Sequence, residues 1–339
     1  MIEDTIDPVL IDGFKKAVEN CKKAVVTCHI SPDGDAIGSN LALALLLQNL
    51  GKEATVITPD DAPEDMAFLS GYDSIISYKQ RPEDADRIIN EADTIFCLDF
   101  NGIKRVGAMG DTLRNAKAYK VMVDHHLYPE DFCNIVISMP EMTSTCELLY
   151  RIIMQSGHSE LITLPVAEGI YTGMMTDTGN FSYNSNKASL YTIVADLVGR
   201  GVNKDRIHKL TIGTSPENRL RLNGYALAEK MTLYPEHKAS LIILTKEDLD
   251  RFNYQVGDTE ALANMPLAIP TVIWSTFMRQ EKNYVKISMR SEGDFAVNTL
   301  CTKYFNGGGH ANAAGGEFKG TMEEAIKTYF QIFEDFKQQ

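Results

Sequence analysis

The strongest constraint on the fold is a set of short apolar runs, rich in β-branched residues, that alternate with helix-patterned segments. AVVTC (24–28), EATVIT (53–58), TIFCLD (94–99), YKVMVD (119–124) and NIVIS (134–138) are apolar almost throughout. A strand buried on both faces reads this way, and such strands arise where helices cover both sides of a parallel sheet. LALALLLQNLG, which stops at Gly51, is the first helical insert. The N-terminal region is therefore expected to be α/β with a mostly parallel sheet. Helical periodicity dominates from Ser144 to about Lys230, and strand alternation returns with ASLIILT (239–245), TVIWSTFMR (271–279) and YVKISMR (284–290). The spacing predicts a first domain over 1–190, a helical connector over 191–234 and a smaller α+β domain over 235–339, with a cleft between the two domains.

Composition limits the partners. Lys and Arg total 33 against 46 Asp and Glu, a formal charge of −13, which argues against a sequence-independent grip on duplex DNA. The six cysteines are scattered, with no CxxC pair, and read as reduced core residues. MIEDTIDPVL is acidic where a signal peptide would be basic, and the longest apolar stretch, Leu41 to Leu47, is far shorter than the ~20 residues of a membrane span. A cytoplasmic chain with no membrane partner is expected.

Ligands of open parallel sheets bind beyond the carboxyl ends of the strands. Here those positions are rich in metal-ligand types. HISPDGDAIGS follows the first strand with His29, Asp33 and Asp35; later runs end in Asp99 and in Asp124, His125 and His126; and GIYTGMM leads to Asp177 in TDTGN. The short Asp side chain places oxygen rigidly, and carboxylate mixed with imidazole suits Mn²⁺ or a similar ion better than Ca²⁺. The supply is right for two ions, which together could clamp the attacking and leaving oxygens of a phosphoryl displacement. Each piece also has a plainer reading. PDGD can be a turn before a helix, with Asp35 or Ser39 as its cap; His29 can be a satisfied core histidine; and Asp99, ahead of Asn101 and Gly102, can end a strand in a turn. Four segments converging on one edge weigh against turns alone.

In order and spacing, His29-xxx-Asp33-x-Asp35, the strand-terminal Asp99, Asp124-His125-His126 and Asp177 in TDTG resemble the four motifs of the DHH phosphoesterases. NGGGHANAAGG (306–316), preceded by Arg290 and Ser291, resembles the glycine-rich signature of the DHH-associated C-terminal domain. The length is similar to that of the two-domain nanoRNase branch, which includes enzymes that also remove the 3′-phosphate of 3′-phosphoadenosine 5′-phosphate. The resemblance implies one ion held by His29, Asp33 and Asp99, and a second held by Asp35, Asp99, His125 and Asp177. Mn²⁺ is the implied metal, with Mg²⁺ or Co²⁺ as substitutes, and a metal-activated hydroxide the implied nucleophile. His126 would face the scissile phosphate, and Asp124 would orient the histidines.

In YVKISMR, strand alternation puts Val285, Ile287 and Met289 on one face and Lys286, Ser288 and Arg290 on the other. Arg290 can hold a phosphate through a planar, bidentate contact, or the cationic face can be simply solvated. AVNTLCTKYF reads as a helix ending at Asn306, with Gly307 as its C-cap. A cap leaves Gly308, Gly309 and His310 unexplained, and the stretch is expected to be a loop that admits phosphate or base closely. The substrates implied are short single-stranded RNA and a nucleoside bisphosphate. An exopolyphosphatase or pyrophosphatase is the runner-up, although the 10 Lys and Arg against 13 Asp and Glu over 239–339 suit a long inorganic polyanion poorly. A single-strand exonuclease and a catalytically dead nucleotide sensor are the remaining readings. Tyr191, Tyr225, Met231 and Tyr234 could supply a homodimer face or ordinary core.

Overall fold

The computed structural model describes residues 6–337. The chain divides into two compact units, the first ending at Thr214 and the second beginning at Ser215.

In the first unit, α1 (Pro8–Asn20) leads into β1 (Lys23–Thr27), α2 (Gly34–Asn49), β2 (Glu53–Thr58), β3 (Ile76–Ser77), α3 (Pro82–Glu91), β4 (Thr94–Leu98), α4 (Gly110–Asn115), β5 (Tyr119–Asp124) and β6 (Ile135–Ser138). Four helices follow: α5 (Thr145–Gln155), α6 (Leu164–Asp177), α7 (Ala188–Gly199) and α8 (Lys204–Thr211). The strands lie in the order β3-β2-β1-β4-β5-β6, all parallel. The chain thus winds outward from β1 in one direction and from β4 in the other. The crevice at the carboxyl ends of β1 and β4 is the switch point, where such sheets bind ligands.

Strand alternation sorts the core into two layers. Val26, Phe96, Leu98, Val121 and Val123 face α1, α2, α5 and α6, whereas Val25, Ile95, Cys97 and Met122 face α3 and α4. α2 is apolar on nearly every side because it is covered on nearly every side. It crosses α6 closely: a Cβ on Gly38 would stand 2.4 Å from the Gly169 carbonyl oxygen, and one on Gly173 2.6 Å from Asp35 Oδ1. Only glycine permits that approach, which brings the start of α2 beside the end of α6.

The second unit contains α9 (Glu217–Tyr225), β7 (Met231–Tyr234), β8 (Ala239–Leu244), α10 (Lys246–Arg251), β9 (Trp274–Gln280), β10 (Val285–Ser291), α11 (Val297–Tyr304), β11 (Gly307–His310), β12 (Ala313–Phe318) and α12 (Met322–Lys337). Its sheet runs β11-β12-β10-β9-β8-β7, antiparallel except between β8 and β9. Val285, Ile287 and Met289 pack with residues of α11 and α12, as the alternation of YVKISMR required. The 191–234 stretch is shared out: Ile193, Leu197 and Ile207 join the core of the first unit, while Leu222 and Ala226 join that of the second. Each helix follows the layer that covers its apolar side.

The end of the expected helical connector is a strand, Met231–Tyr234 pairing with β8, and the glycine-rich stretch also differs from its sequence reading. α11 ends at Tyr304, and Gly307–His310 is an edge strand hydrogen-bonded to β12 where a loop with a helix cap was expected. Side-chain patterning carries no strand signal in a run of glycines. The backbone does: a Cβ on Gly307 would lie 2.1 Å from the Gly315 carbonyl oxygen, so the two strands meet where no side chain fits.

Candidate active site

Every metal-ligand candidate of the first unit arrives at the carboxyl edge of its sheet or at the end of α6. β1 ends at Thr27 and delivers His29; β4 ends at Leu98 and delivers Asp99; Asp124 is the last residue of β5, with His125 and His126 beyond it; Asp177 is the last residue of α6. Asp33 is the N-cap of α2, its Oδ1 accepting the Asp35 and Ala36 amides at 3.0 Å each. The turn reading and the ligand reading of PDGD are therefore compatible, with Asp33 rather than Asp35 or Ser39 as the cap. Asp99 has a left-handed backbone, φ 62°, an outlier of the kind that surrounding structure must hold in place.

These side chains form two clusters that share a carboxylate. His29 Nε2 lies 3.8 Å from Asp33 Oδ2 and 3.3 Å from Asp99 Oδ2. His125 Nε2 lies 3.5 Å from Asp99 Oδ1, 3.3 Å from Asp177 Oδ2 and 4.0 Å from Asp35 Oδ2. One oxygen of Asp99 faces each cluster. The outer nitrogens are fixed as well: His29 Nδ1 donates to the Ile30 carbonyl at 2.7 Å, leaving Nε2 for a ligand. His126 borders the shared carboxylate, its Nδ1 lying 3.8 Å from Asp99 Oδ1 in a third group with Asp99 and His125, while that Nδ1 donates to Asp124 Oδ1 at 2.8 Å and its amide donates to Asp124 Oδ2 at 3.1 Å.

The charges are out of balance without a cation. Burial, then the charges of Asp35 and Asp99, pushes the Asp177 carboxyl up to about 10; burial and Asp99 push Asp35 up to about 7. Burial alone would depress the imidazoles, yet hydrogen bonding to Asp99 and the neighbouring carboxylates lift His29 to about 9 and His125 to about 10. Burial would raise Asp99, but hydrogen bonds from His125 and His29 hold it well below the usual carboxylate range. Asp177, His29 and His125 thus hold protons near neutral pH where cations would serve. The donor set (His29, Asp33, Asp99 and Asp35, His125, Asp177) fits divalent ions.

Sequence reading passed over the start of α5. The Thr145 amide donates to Asp35 Oδ2 at 2.6 Å, the Cys146 amide to Asp35 Oδ1 at 2.9 Å, and Thr145 Oγ1 to Asp99 Oδ1 at 3.0 Å. The signal was present: Ser144 followed by Glu147 ahead of an apolar run marks a helix start. Nothing in that pattern says that the exposed amides of the first turn meet Asp35.

In the second unit, His310, Ala313, Arg290 and Ser275 lie in one row across β11, β12, β10 and β9, so Arg290 and His310 share a face across a small alanine. The next row on that face contains Gly308, Gly315 and Ser288. A Cβ on Gly308 would meet nothing within 4 Å, which leaves a flat floor. A shallow cavity of about 410 Å³ near these rows is lined by Tyr284, Lys286, Ser288, Gly307, Gly315 and Glu317. Ser291 differs: it is buried, its hydroxyl donating to the Phe295 carbonyl and accepting the Asn312 side-chain amide at 3.0 Å, so it braces the 291–312 corner. Arg290 Nη1 donates to the Met289 carbonyl at 2.9 Å, and Gly309 has φ 136°.

Comparison with known proteins follows the same division. Residues 23–174 match the DHH family, N-terminal domain, and residues 240–338 match the DHHA1 domain. The bifunctional oligoribonuclease and PAP phosphatase NrnA of Thermus thermophilus is 27% identical over 313 residues, 92% of this chain and 88% of that protein. The crystal structure of an exopolyphosphatase-related protein from Bacteroides fragilis is 47% identical with a TM-score of 0.95, covering 97% of each chain. RecJ of Thermus thermophilus in complex with Mn²⁺ shares the fold, with a TM-score of 0.53 at 13% identity over 96% of this chain and 53% of that one. Both matched segments fall within folded units and in the order the motifs imply, so the chain belongs to the DHH family and is a hydrolase of phosphoester bonds.

Proposed function

We propose that the enzyme uses two divalent ions, Mn²⁺ by preference with Mg²⁺ or Co²⁺ as substitutes, to hydrolyse very short oligoribonucleotides to mononucleotides and to remove the 3′-phosphate of 3′-phosphoadenosine 5′-phosphate. The observation that carries this reading is the shared carboxylate, with Asp99 Oδ2 facing His29 and Oδ1 facing His125. His29, Asp33 and Asp99 would hold one ion, and Asp35, Asp99, His125 and Asp177 the other. Bound divalent ions supply Lewis acidity and make hydroxide available near neutral pH. Asp124 keeps the His126 proton on Nδ1, so His126 Nε2 is the nitrogen that can meet a phosphate oxygen or the leaving group.

Arg290 would hold a substrate phosphate through its planar fork, and His310 would hydrogen-bond phosphate or stack on a base. Gly307, Gly308 and Gly309 would supply a floor low enough for a nucleotide to lie against backbone. Ser291 would act through the corner it braces. In this reading the first unit is catalytic and the second binds substrate, and the name and coverage of the Thermus thermophilus relative support the substrate class. Six free thiols, five of them buried, suit the cytoplasm. Among the described residues no helix is long and apolar enough to cross a membrane.

The 47% identical Bacteroides fragilis protein, described as exopolyphosphatase-related, supports exopolyphosphatase activity as the second reading. A Mn²⁺ assay on a dinucleotide, the bisphosphate and polyphosphate side by side decides between them. Hydrolysis of the first two well above polyphosphate is expected. Faster release from polyphosphate reverses the assignment, and inertness towards all three removes it.

A further inference from the structure

We propose that Thr145 is a positioning residue that sets the orientation of the shared carboxylate, and with it the affinity of the ion site formed by Asp35, His125 and Asp177. The inference rests on the two-ion reading above and adds a residue that none of the sequence motifs contains.

A carboxylate that serves two clusters must present one oxygen to each. Rotation of Asp99 about its Cβ–Cγ bond would spoil both sets of contacts at once. Thr145 Oγ1 donates to Asp99 Oδ1 at 3.0 Å, and this is the oxygen that also faces His125. A hydroxyl has one proton to give, so this bond marks Oδ1 and leaves Oδ2 to His29. The same residue acts on the second ligand, because its amide donates to Asp35 Oδ2 at 2.6 Å and the next amide to Asp35 Oδ1 at 2.9 Å. One helix start therefore fixes two carboxylates relative to each other.

That helix start is itself braced. The Glu147 carboxylate accepts the Thr143 amide at 2.8 Å and the Thr143 hydroxyl at 2.7 Å, and it pairs with Arg151 at 2.6 Å; both charged side chains are buried. Thr145 and Asp35 are fully buried, so no water replaces a lost donor cheaply. The arrangement matches what metal sites generally need behind their ligands: groups that do not touch the ion but keep the ligands aimed.

The test is calorimetric titration of the metal-free full chain with Mn²⁺, for wild type, Thr145→Val, Thr145→Ala and Thr145→Ser, with metal-free thermal midpoints measured in parallel. Removing the hydroxyl is expected to weaken at least one of the two binding events by about 10- to 100-fold in both Val and Ala variants. Ser, which keeps the hydroxyl, should stay close to wild type. Val and Ala variants that bind both ions like wild type overturn the proposal, as does a Ser variant that loses as much as Val. A wild type that binds no divalent ion overturns the two-ion reading itself, which is a separate and distinguishable failure.

Discussion

The two units place chemistry on a sheet in different ways. The first unit puts polar residues at strand ends, where the winding of a parallel sheet reverses and backbone already leads out of the core. The second puts them on a strand face, in the row that joins His310, Ala313, Arg290 and Ser275. Strand ends and the helix termini beside them can gather residues far apart in sequence, so Asp35, Asp99 and Asp177 meet around His125 in one charge-crowded group. A strand face gathers residues two apart on neighbouring strands, and it stays open. Close control of a few charges comes from the first arrangement, and in the function proposed above the open face of the second takes the substrate.

Asp99→Asn tests the harder end of this contrast. Loss of the shared charge should lower kcat on the order of 10³-fold, because one substitution damages both clusters. A loss under tenfold would mean that the first unit does not depend on its shared carboxylate.

Glycine substitutions compare the units directly. A Cβ on Gly173 would stand 2.3 Å from Cys146 Sγ and 2.6 Å from Asp35 Oδ1, whereas one on Gly308 meets open space. Gly173→Ala should cost about 1–3 kcal/mol in denaturant unfolding and lower kcat as Asp35 shifts. Gly308→Ala should leave stability within about 0.5 kcal/mol and raise KM. Equal stability losses would erase the distinction between a packed edge and an open floor.

Arg290→Lys keeps the charge and loses the planar fork, so KM should rise about tenfold with Mn²⁺ binding unchanged. A change in kcat with constant KM would move Arg290 out of substrate binding.

The smallest effect is on pH. His29, His125, Asp35 and Asp177 all have folded values raised above their ordinary ones, so the metal-free fold binds more protons than the unfolded chain. Its stability should fall as pH rises towards about 10, where His125 and Asp177 lose their protons. Mn²⁺ binding displaces those protons and should tighten over the same range. Thermal midpoints at several pH values, with and without Mn²⁺, check both signs; a metal-free midpoint that climbs with pH would contradict them.

The first unit was more legible than the second for a physical reason. Buried parallel strands are apolar on both faces, so TIFCLD and YKVMVD stand out, and a carboxylate just past such a run is conspicuous. β3, two residues long, has no period to read. β11 and β12 consist largely of glycine and alanine, and their pairing rests on backbone approach that composition does not encode. The role of α5 was hidden because hydrogen bonds from backbone amides carry no residue signature. Ser291 stands beside Arg290 in sequence, but in the fold its hydroxyl engages the corner at Asn312.

The central claim is that one carboxylate serves two ions. Counting Mn²⁺ bound per chain by calorimetry and by anomalous diffraction, in wild type and in Asp99→Asn, tests it most directly. Two ions in wild type, flanking Asp99, with both weakened in the variant, is the expected result. A single ion in wild type, or a variant that binds two ions undiminished, would contradict it.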